Sequence, residues 1–408
     1  MRKSLRLAAV CGLALLGAAE RALALSTETE LLLDLLEKKG VISAADANGY
    51  RQAIAAASPP PATGDDQHMH TVRSIEQRVE KLEQTTSTAA VLGERISVSG
   101  IVEVEAFSAT TKDPAGGSGT TSDIRLATAE LDFDARVNDL VGGHLALLYE
   151  EDVDNGGDLN IDEGFVTLAA ASVPWYGRIG KMYVPFGNYE SHFISDPLPL
   201  ALGETGDTAL LGGYAAGPFD LSLGVFNGSI DKSGKSDKIN AVVAAATVSL
   251  PGLPEGSGVS GGVSYLSNLA ASDGLQGEAV VAGEVADLVD GLSAYLHLDF
   301  LETFAVEAEY LTALADFAAT DFTFTDAANR RPRAWNLEAA MLVLPQLEAT
   351  LRYGGSEETG TLLAENQYGV VLRYDLFDNT ALALEYLDEK FRDDSRNRQT
   401  TMQVAVEF

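Results

Sequence analysis

The side chains able to do chemistry in this sequence are overwhelmingly carboxylates. The segment 185–208 carries Glu190, Asp196, Glu204 and Asp207, with His192 among them and no Lys or Arg. Such a run sets a negative field or attracts a cation, because nothing within it neutralises the charge. A second group lies in DVDNGGDLNIDE, residues 152–163, where Asp152, Asp154, Gly156, Asp158, Asn160 and Glu163 occupy positions 1, 3, 5, 7, 9 and 12 of a twelve-residue frame. Gly157 falls sixth and Leu159 eighth, the pattern of a calcium loop with Asp152, Asp154, Asp158 and Glu163 as oxygen ligands. Its flanks, 143–151 and 164–171, read as strands and not as helices, so an acidic, glycine-rich hairpin accounts for the same residues. Calcium is the one cofactor the spacing suggests. The five histidines offer less. His68 and His70 flank Met69 in a linker, His144 and His297 stand singly in strand-like segments, and His192 sits in the acidic run. None has triad or metal spacing, so a hydrolase would need a Ser/His pair assembled by folding alone.

Composition narrows the classes further. The 408 residues hold 28 Lys+Arg against 60 Asp+Glu, a net charge of −32, which argues against nucleic-acid binding through phosphate neutralisation. The single cysteine, Cys11, leaves no disulfide framework and no Cys-based zinc site. Beyond the N-terminus there is no run of about 18 apolar residues, which is what a spanning helix requires.

Residues 1–24 read as a signal peptide: Arg2, Lys3 and Arg6 precede the apolar stretch Leu7–Ala19, and Ala22-Leu23-Ala24 is a small-x-small cleavage site. Cys11 then belongs to the removed segment. Residues 25–58 predict a short periplasmic unit of two helices, with Leu31, Leu32, Leu35 and Leu36 on one face and Gly40 closing the first. Pro59-Pro60-Pro61 opens a linker over 59–70. In 71–92, Val72, Ile75, Val79 and Leu82 repeat at 3-4-3 spacing, giving either a short coiled-coil seam or an amphipathic helix lying on its own domain.

From Arg95 to the end the apolar period becomes two. Ala127, Ala129, Leu131, Phe133, Ala135 and Val137 alternate with polar residues, as do Leu292 to Phe300 and Thr400 to Phe408. Segments of about ten residues with one apolar and one charged face suit a membrane β-barrel with a wet lumen. Only a closed barrel pairs every backbone polar group of strands in lipid. Seven short turns (near 138–142, 172–175, 216–218, 251–258, 302–303, 345–346 and 378–379) separate eight longer connections (111–122, 153–159, 185–208, 229–238, one after Ser267, 313–333, 356–365 and 392–398). The expected fold is therefore all-β, a 16-stranded antiparallel transmembrane barrel over 95–408. Both barrel ends lie on the periplasmic side, behind a helical and coiled-coil extension. The apolar stretch 278–288 would break the alternation as a strand, so it is placed within one extracellular loop, 268–291.

Parity then sorts the charges. Lumen-facing acids are Glu103, Glu105, Glu130, Asp132, Asp134, Asp299, Glu307, Glu309, Glu338, Glu348 and Glu385, opposed by Arg136, Arg352 and Arg373. Residues 1–94 hold 10 of the Lys/Arg and 12 of the Asp/Glu, which leaves 18 against 48, net −30, in the barrel. Loop bridging by divalent ions and solubility before insertion explain part of that charge; lumen charge tunes passage directly.

The segment GRIGKMYVPFGNYESHFISDPLPLALGETGDTALLGGY (177–214) resembles the strand-to-loop signature of sixteen-stranded porins in the phosphate/polyphosphate-porin superfamily. Within it, MYVPFGNYE, SDPL and LGET resemble LbtU-type siderophore porins most closely, and the C-terminal alternation ending in Phe408 resembles the terminal strand of outer-membrane proteins. The resemblance implies passive outer-membrane diffusion with 185–208 as the constriction loop. It further implies a small polar solute or ferric siderophore as cargo, lipid around the barrel, and a homotrimer as the possible assembly. A phosphate-selective pore would line this path with Arg and Lys. Instead Ile239 to Asn329 holds 13 acids and no Lys or Arg, which suits cationic or neutral complexes better. The alternatives carried forward are an anion-selective phosphate-type porin, an outer-membrane hydrolase and a structural barrel tethered to the cell wall.

Overall fold

The computed structural model describes residues 34, 37–38, 44–55 and 95–408, except 153–155, 236–237 and 326. The chain divides into two units, 1–91 and 92–408. In the first, Ala44–Ala55 is a helix, where the second helix of the extension is expected. The signal-peptide segment, the linker 59–70 and the 71–92 seam lie outside the described residues.

In the second unit, sixteen antiparallel strands among the described residues close a barrel, each bonded to its neighbours in chain order. The seam joins the first strand, Ile96–Lys112, to the last, Arg396–Glu407, with Ile101 opposite Glu407 and Lys112 opposite Arg396. The segment 278–288 stays out of the wall, as expected. It supplies a two-residue strand, Glu284–Val285, that pairs in parallel with Asp231–Lys232 of the neighbouring long loop.

The seven short turns fall where the sequence places them. Two of the long connections shrink, however. The expected loops 111–122 and 153–159 are largely strand: Ser118–Arg136 pairs back to Lys112, and Gly156–Ala169 pairs with Val141–Asp152. Polar residues continue a strand as readily as apolar ones once the neighbouring strand supplies hydrogen-bond partners, so polarity marked the end of the apolar band and not the end of the strand.

The outward face is apolar. Leu210, Leu223, Leu296, Leu337 and Leu351 are exposed on it, while Glu338, Arg352 and Glu385 on the opposite face are buried. Trp175, Phe219, Phe300, Phe304, Phe377 and Phe408 are exposed next to the short turns or the C-terminus, as an interfacial aromatic girdle requires. The barrel also has an apolar core. Phe186, Leu198 and Leu202 of loop 184–205 pack with Leu269 and Leu275 of loop 267–290 and with Phe317 and Phe322 of loop 314–332. A helical turn, Leu200–Gly203, carries Leu202 into this cluster. Loop 184–205 thus folds inward, and loops 267–290 and 314–332 pack against it.

Candidate functional site: the lumen and its constriction

Loop 184–205 is fastened to the wall by side chains from five strands, Ser264 among them, and most of its anchors are the acids that parity directs into the lumen. Glu309, on Phe304–Ala313, accepts the backbone N–H groups of Asn188 (3.0 Å) and Tyr189 (2.8 Å). Tyr189 has φ 56, a left-handed conformation that costs a non-glycine residue about 1–2 kcal/mol, and the paired N–H bonds to Glu309 hold it there. Glu338, on Arg333–Leu344, accepts the Ser191 hydroxyl (2.9 Å) and the His192 N–H (2.8 Å). Glu385, on Thr380–Lys390, accepts the N–H groups of Ile194 (2.7 Å) and Ser195 (3.0 Å). Arg352, on Leu347–Glu357, donates to Ser195 O (2.8 Å) and Asp196 O (3.2 Å), with its guanidinium carbon 4.1 Å from the centre of the Phe193 ring. Bonds from N–H to a carboxylate are charge-assisted and stronger than neutral ones. These anchors are therefore acceptors and donors for loop backbone as well as wall charge.

His192 Nδ1 lies 2.8 Å from Glu348 Oε1, and that hydrogen bond raises the His192 pKa. Burial raises Asp196, against the opposing pull of Arg352. Burial, reinforced by the charges of Asp196 and Asp273, pushes Glu204 up to about 7.

Beside the loop the lumen keeps a cavity of about 790 Å³, between Ile194 and Asp196 of the loop and the wall built from the first strands. Its acids are Glu103, Glu105, Glu150, Glu151, Asp158, Asp162 and Asp196, and its basic residues among those described are Arg125 and Lys181. Both bases are engaged: Arg125 Nη2 bonds Glu105 Oε2 at 2.8 Å, and Lys181 Nζ bonds Ile161 O at 2.7 Å. The strands place Glu103, Thr128, Glu150 and Asp158 side by side in one row, because Glu103 pairs with Thr128, Thr128 with Glu150, and Glu150 with Asp158.

Nearer the short turns the sign changes. A cavity of about 530 Å³ is lined by Arg95, Arg136, Arg178 and His144, with Asp134 as its acid. Arg178 stacks over Phe165 at 5.4 Å, and Asp134 lies 2.9 Å from His144 Nδ1. Glu130 and Asp132 share the face of Asp134 and Arg136 on the same strand by alternation. Arg373 lies 3.5 Å from Asp375. Asp299 bonds His297 Nε2 at 2.7 Å, and Glu307 contacts the other ring nitrogen.

Three sequence expectations need correction. Asp207 is not in the loop expected to form the constriction: it lies in the strand Gly206–Ala216, and its carboxylate accepts the Gly228 N–H at 3.1 Å. Of the twelve-residue frame 152–163, residues 156–163 are strand and not loop, with Asp152 opposite Gly156 and Asp158 opposite Glu150. Asp154 lies outside the described residues. At about 3.4 Å per residue an extended strand separates Asp158 from Glu163 by about 17 Å, too far for both to ligate one ion. Finally, Glu150, Glu151 and Asp162 are absent from the parity list although they line the passage. The extra residue opposite Leu145–Leu147 lies on Gly156–Ala169 and puts Asp158 and Asp162 on the same face as Phe165 and Thr167, of opposite parity; Glu150 simply keeps the parity of His144.

No family model matches the chain. In sequence it is similar to a UPF0422 protein of Coxiella burnetii, 30% identical over 282 residues that cover 65% of this chain and 58% of that protein. It is also similar to UPF0422 protein lpl2888 of Legionella pneumophila, 26% identical over 318 residues covering 71% and 58%. The chain thus spans 58% of the length of these relatives. In structure it is similar to the outer-membrane channel DcaP of Acinetobacter baumannii, with TM-score 0.55 and 16% identity over 77% of this chain and 97% of that one. An anion-selective porin from Comamonas acidovorans gives TM-score 0.54 and 13% identity over 77% and 99%. At these identities the likeness is one of fold, and the fold is that of sixteen-stranded outer-membrane porins.

Proposed function

We propose that the barrel is a passive outer-membrane channel that favours cationic and neutral polar solutes over anions. One observation carries this reading: the passage beside loop 184–205 is lined by seven acids, while its two bases are held by Glu105 and by the Ile161 carbonyl. In a narrow path walled by protein, each unpaired carboxylate raises the local cation concentration and repels anions. Ferric siderophores without net negative charge fit this field, and that cargo rests on the resemblance of 177–214 to siderophore porins. The reversal potential of the reconstituted protein under a salt gradient tests the charge preference. A cation-selective potential supports the reading, and an anion-selective one overturns it.

A second reading, an anion-preferring pore of the phosphate type, draws on the cavity lined by Arg95, Arg136 and Arg178. It predicts that phosphate blocks chloride current and that replacing Arg136 and Arg178 by Gln relieves the block.

A further inference from the structure

Three metal-ligating groups that the channel reading does not use converge on the lumen side of the wall. His297, on Gly291–Phe300, faces Glu307, on Phe304–Ala313, as a direct cross-strand pair. Glu190 reaches the same point from loop 184–205, with Oε2 3.8 Å from His297 Nδ1. One ligand atom from each residue lies within 4.8 Å of those of the other two.

The imidazole is oriented for this role. Asp299 Oδ2 lies 2.7 Å from Nε2, and a carboxylate only accepts, so Nε2 carries the proton. Nδ1 meets Glu307 and faces Glu190: a proton there makes the ring an imidazolium held between Asp299 and Glu307, whereas a metal ion there would take the Nδ1 lone pair with Nε2–H kept on Asp299. With Nδ1 unprotonated, three acceptor atoms face one point and repel one another unless a cation sits between them. A proton on Nδ1 would bridge to Glu307 but leaves Glu190 beyond hydrogen-bond range at 3.8 Å. A metal ion would engage all three. The carboxylate–imidazole–metal arrangement, with the outer carboxylate fixing the tautomer, is how proteins raise the basicity of a histidine ligand.

We propose that Glu190, His297 and Glu307 bind one divalent first-row transition ion, with Asp299 as the positioning residue. One nitrogen and two oxygens suit zinc, manganese or iron(II) better than calcium or magnesium, which prefer all-oxygen sites. Tetrahedral zinc sets its ligand atoms about 3.3 Å apart, from metal bonds of about 2.0–2.2 Å. To reach that spacing Glu190, whose side chain is 63% exposed, moves in and Glu307 draws back from Nδ1. The bound ion ties the start of the constriction loop to the wall. This site does not depend on the charge preference of the passage.

The test uses the full chain in detergent, without a histidine tag, titrated with cobalt(II) and followed by visible absorption and calorimetry, with zinc as competitor. One cobalt per chain is expected, displaced by zinc. Glu190→Gln and His297→Gln should each weaken binding at least tenfold, and Asp299→Asn by about 10–100-fold. Glu190 is exposed, so its variant keeps the fold even where His297→Gln loses it; heat-dependent gel mobility reports that. Absence of saturable binding, or stoichiometric binding unchanged by Glu190→Gln, overturns the proposal.

Discussion

Glu338 and Arg352 face each other across adjacent strands as an ion pair whose side chains have no exposed surface, with Nη2 and Oε1 2.9 Å apart. Both continue into loop 184–205, Glu338 through Ser191 and His192 and Arg352 through Ser195 and Asp196. A buried pair contributes little net stability against an apolar replacement, yet removing one member strands the other. Here the stranded partner would also release the loop.

Arg352→Ala is therefore expected to destabilise the barrel by about 3–5 kcal/mol. It should also raise single-channel conductance with added open-state noise, since the loop loses four hydrogen bonds. The double variant Glu338→Gln/Arg352→Met should recover part of the stability but not the quiet conductance. Denaturant unfolding and single-channel recording check the two effects; a conductance unchanged in Arg352→Ala would show that other anchors suffice.

Charge preference should follow the row Glu103, Glu150 and Asp158. Replacing these three by Gln, Gln and Asn is expected to move the reversal potential towards the anion side. Asp207→Asn should leave it unchanged, because Asp207 does not line the passage. Equal shifts in the two variants would place the field elsewhere.

Glu204 gives the preference a pH dependence. Its pKa is pushed up to about 7, so it is charged above that value and neutral below it. Cation preference should therefore fall between pH 8 and pH 6. Glu204→Gln should start lower at pH 8 and lose the step. A step of the same size in the variant would assign it to another group.

Barrel closure has its own check. Gly100 and Phe408 exchange backbone hydrogen bonds at 3.0 Å each across the seam. A Cβ at Gly100 would stand 2.6 Å from Glu130 O and 2.8 Å from Phe408 Cζ. The wild type should migrate fast on gels until boiled, and Gly100→Val should convert to the slow form at lower temperature. Mobility independent of heating in the wild type would contradict a closed barrel.

Strand existence, strand number, the short-turn positions and much of the lumen face were legible in the sequence, because each is a local property. A period of two assigns faces within a strand, and turn residues mark where a strand reverses. The length of the first two hairpins was not, since pairing carried polar residues past the point where the apolar signal stopped. Parity found Glu309, Glu338 and Glu385 but could not say what they meet. Glu309 and Asn188 are 121 residues apart, and Glu385 and Ile194 are 191 apart. Which loop turns inward, and which wall it touches, follows from how the closed sheet stacks its strands and how the loop cores around Phe186 and Phe317 pack. The same holds for His297, which is an isolated histidine in its strand and gains Glu307 by register and Glu190 by the inward fold of a loop. Local periodicity decides the face of a side chain; only closure of the barrel decides its partner.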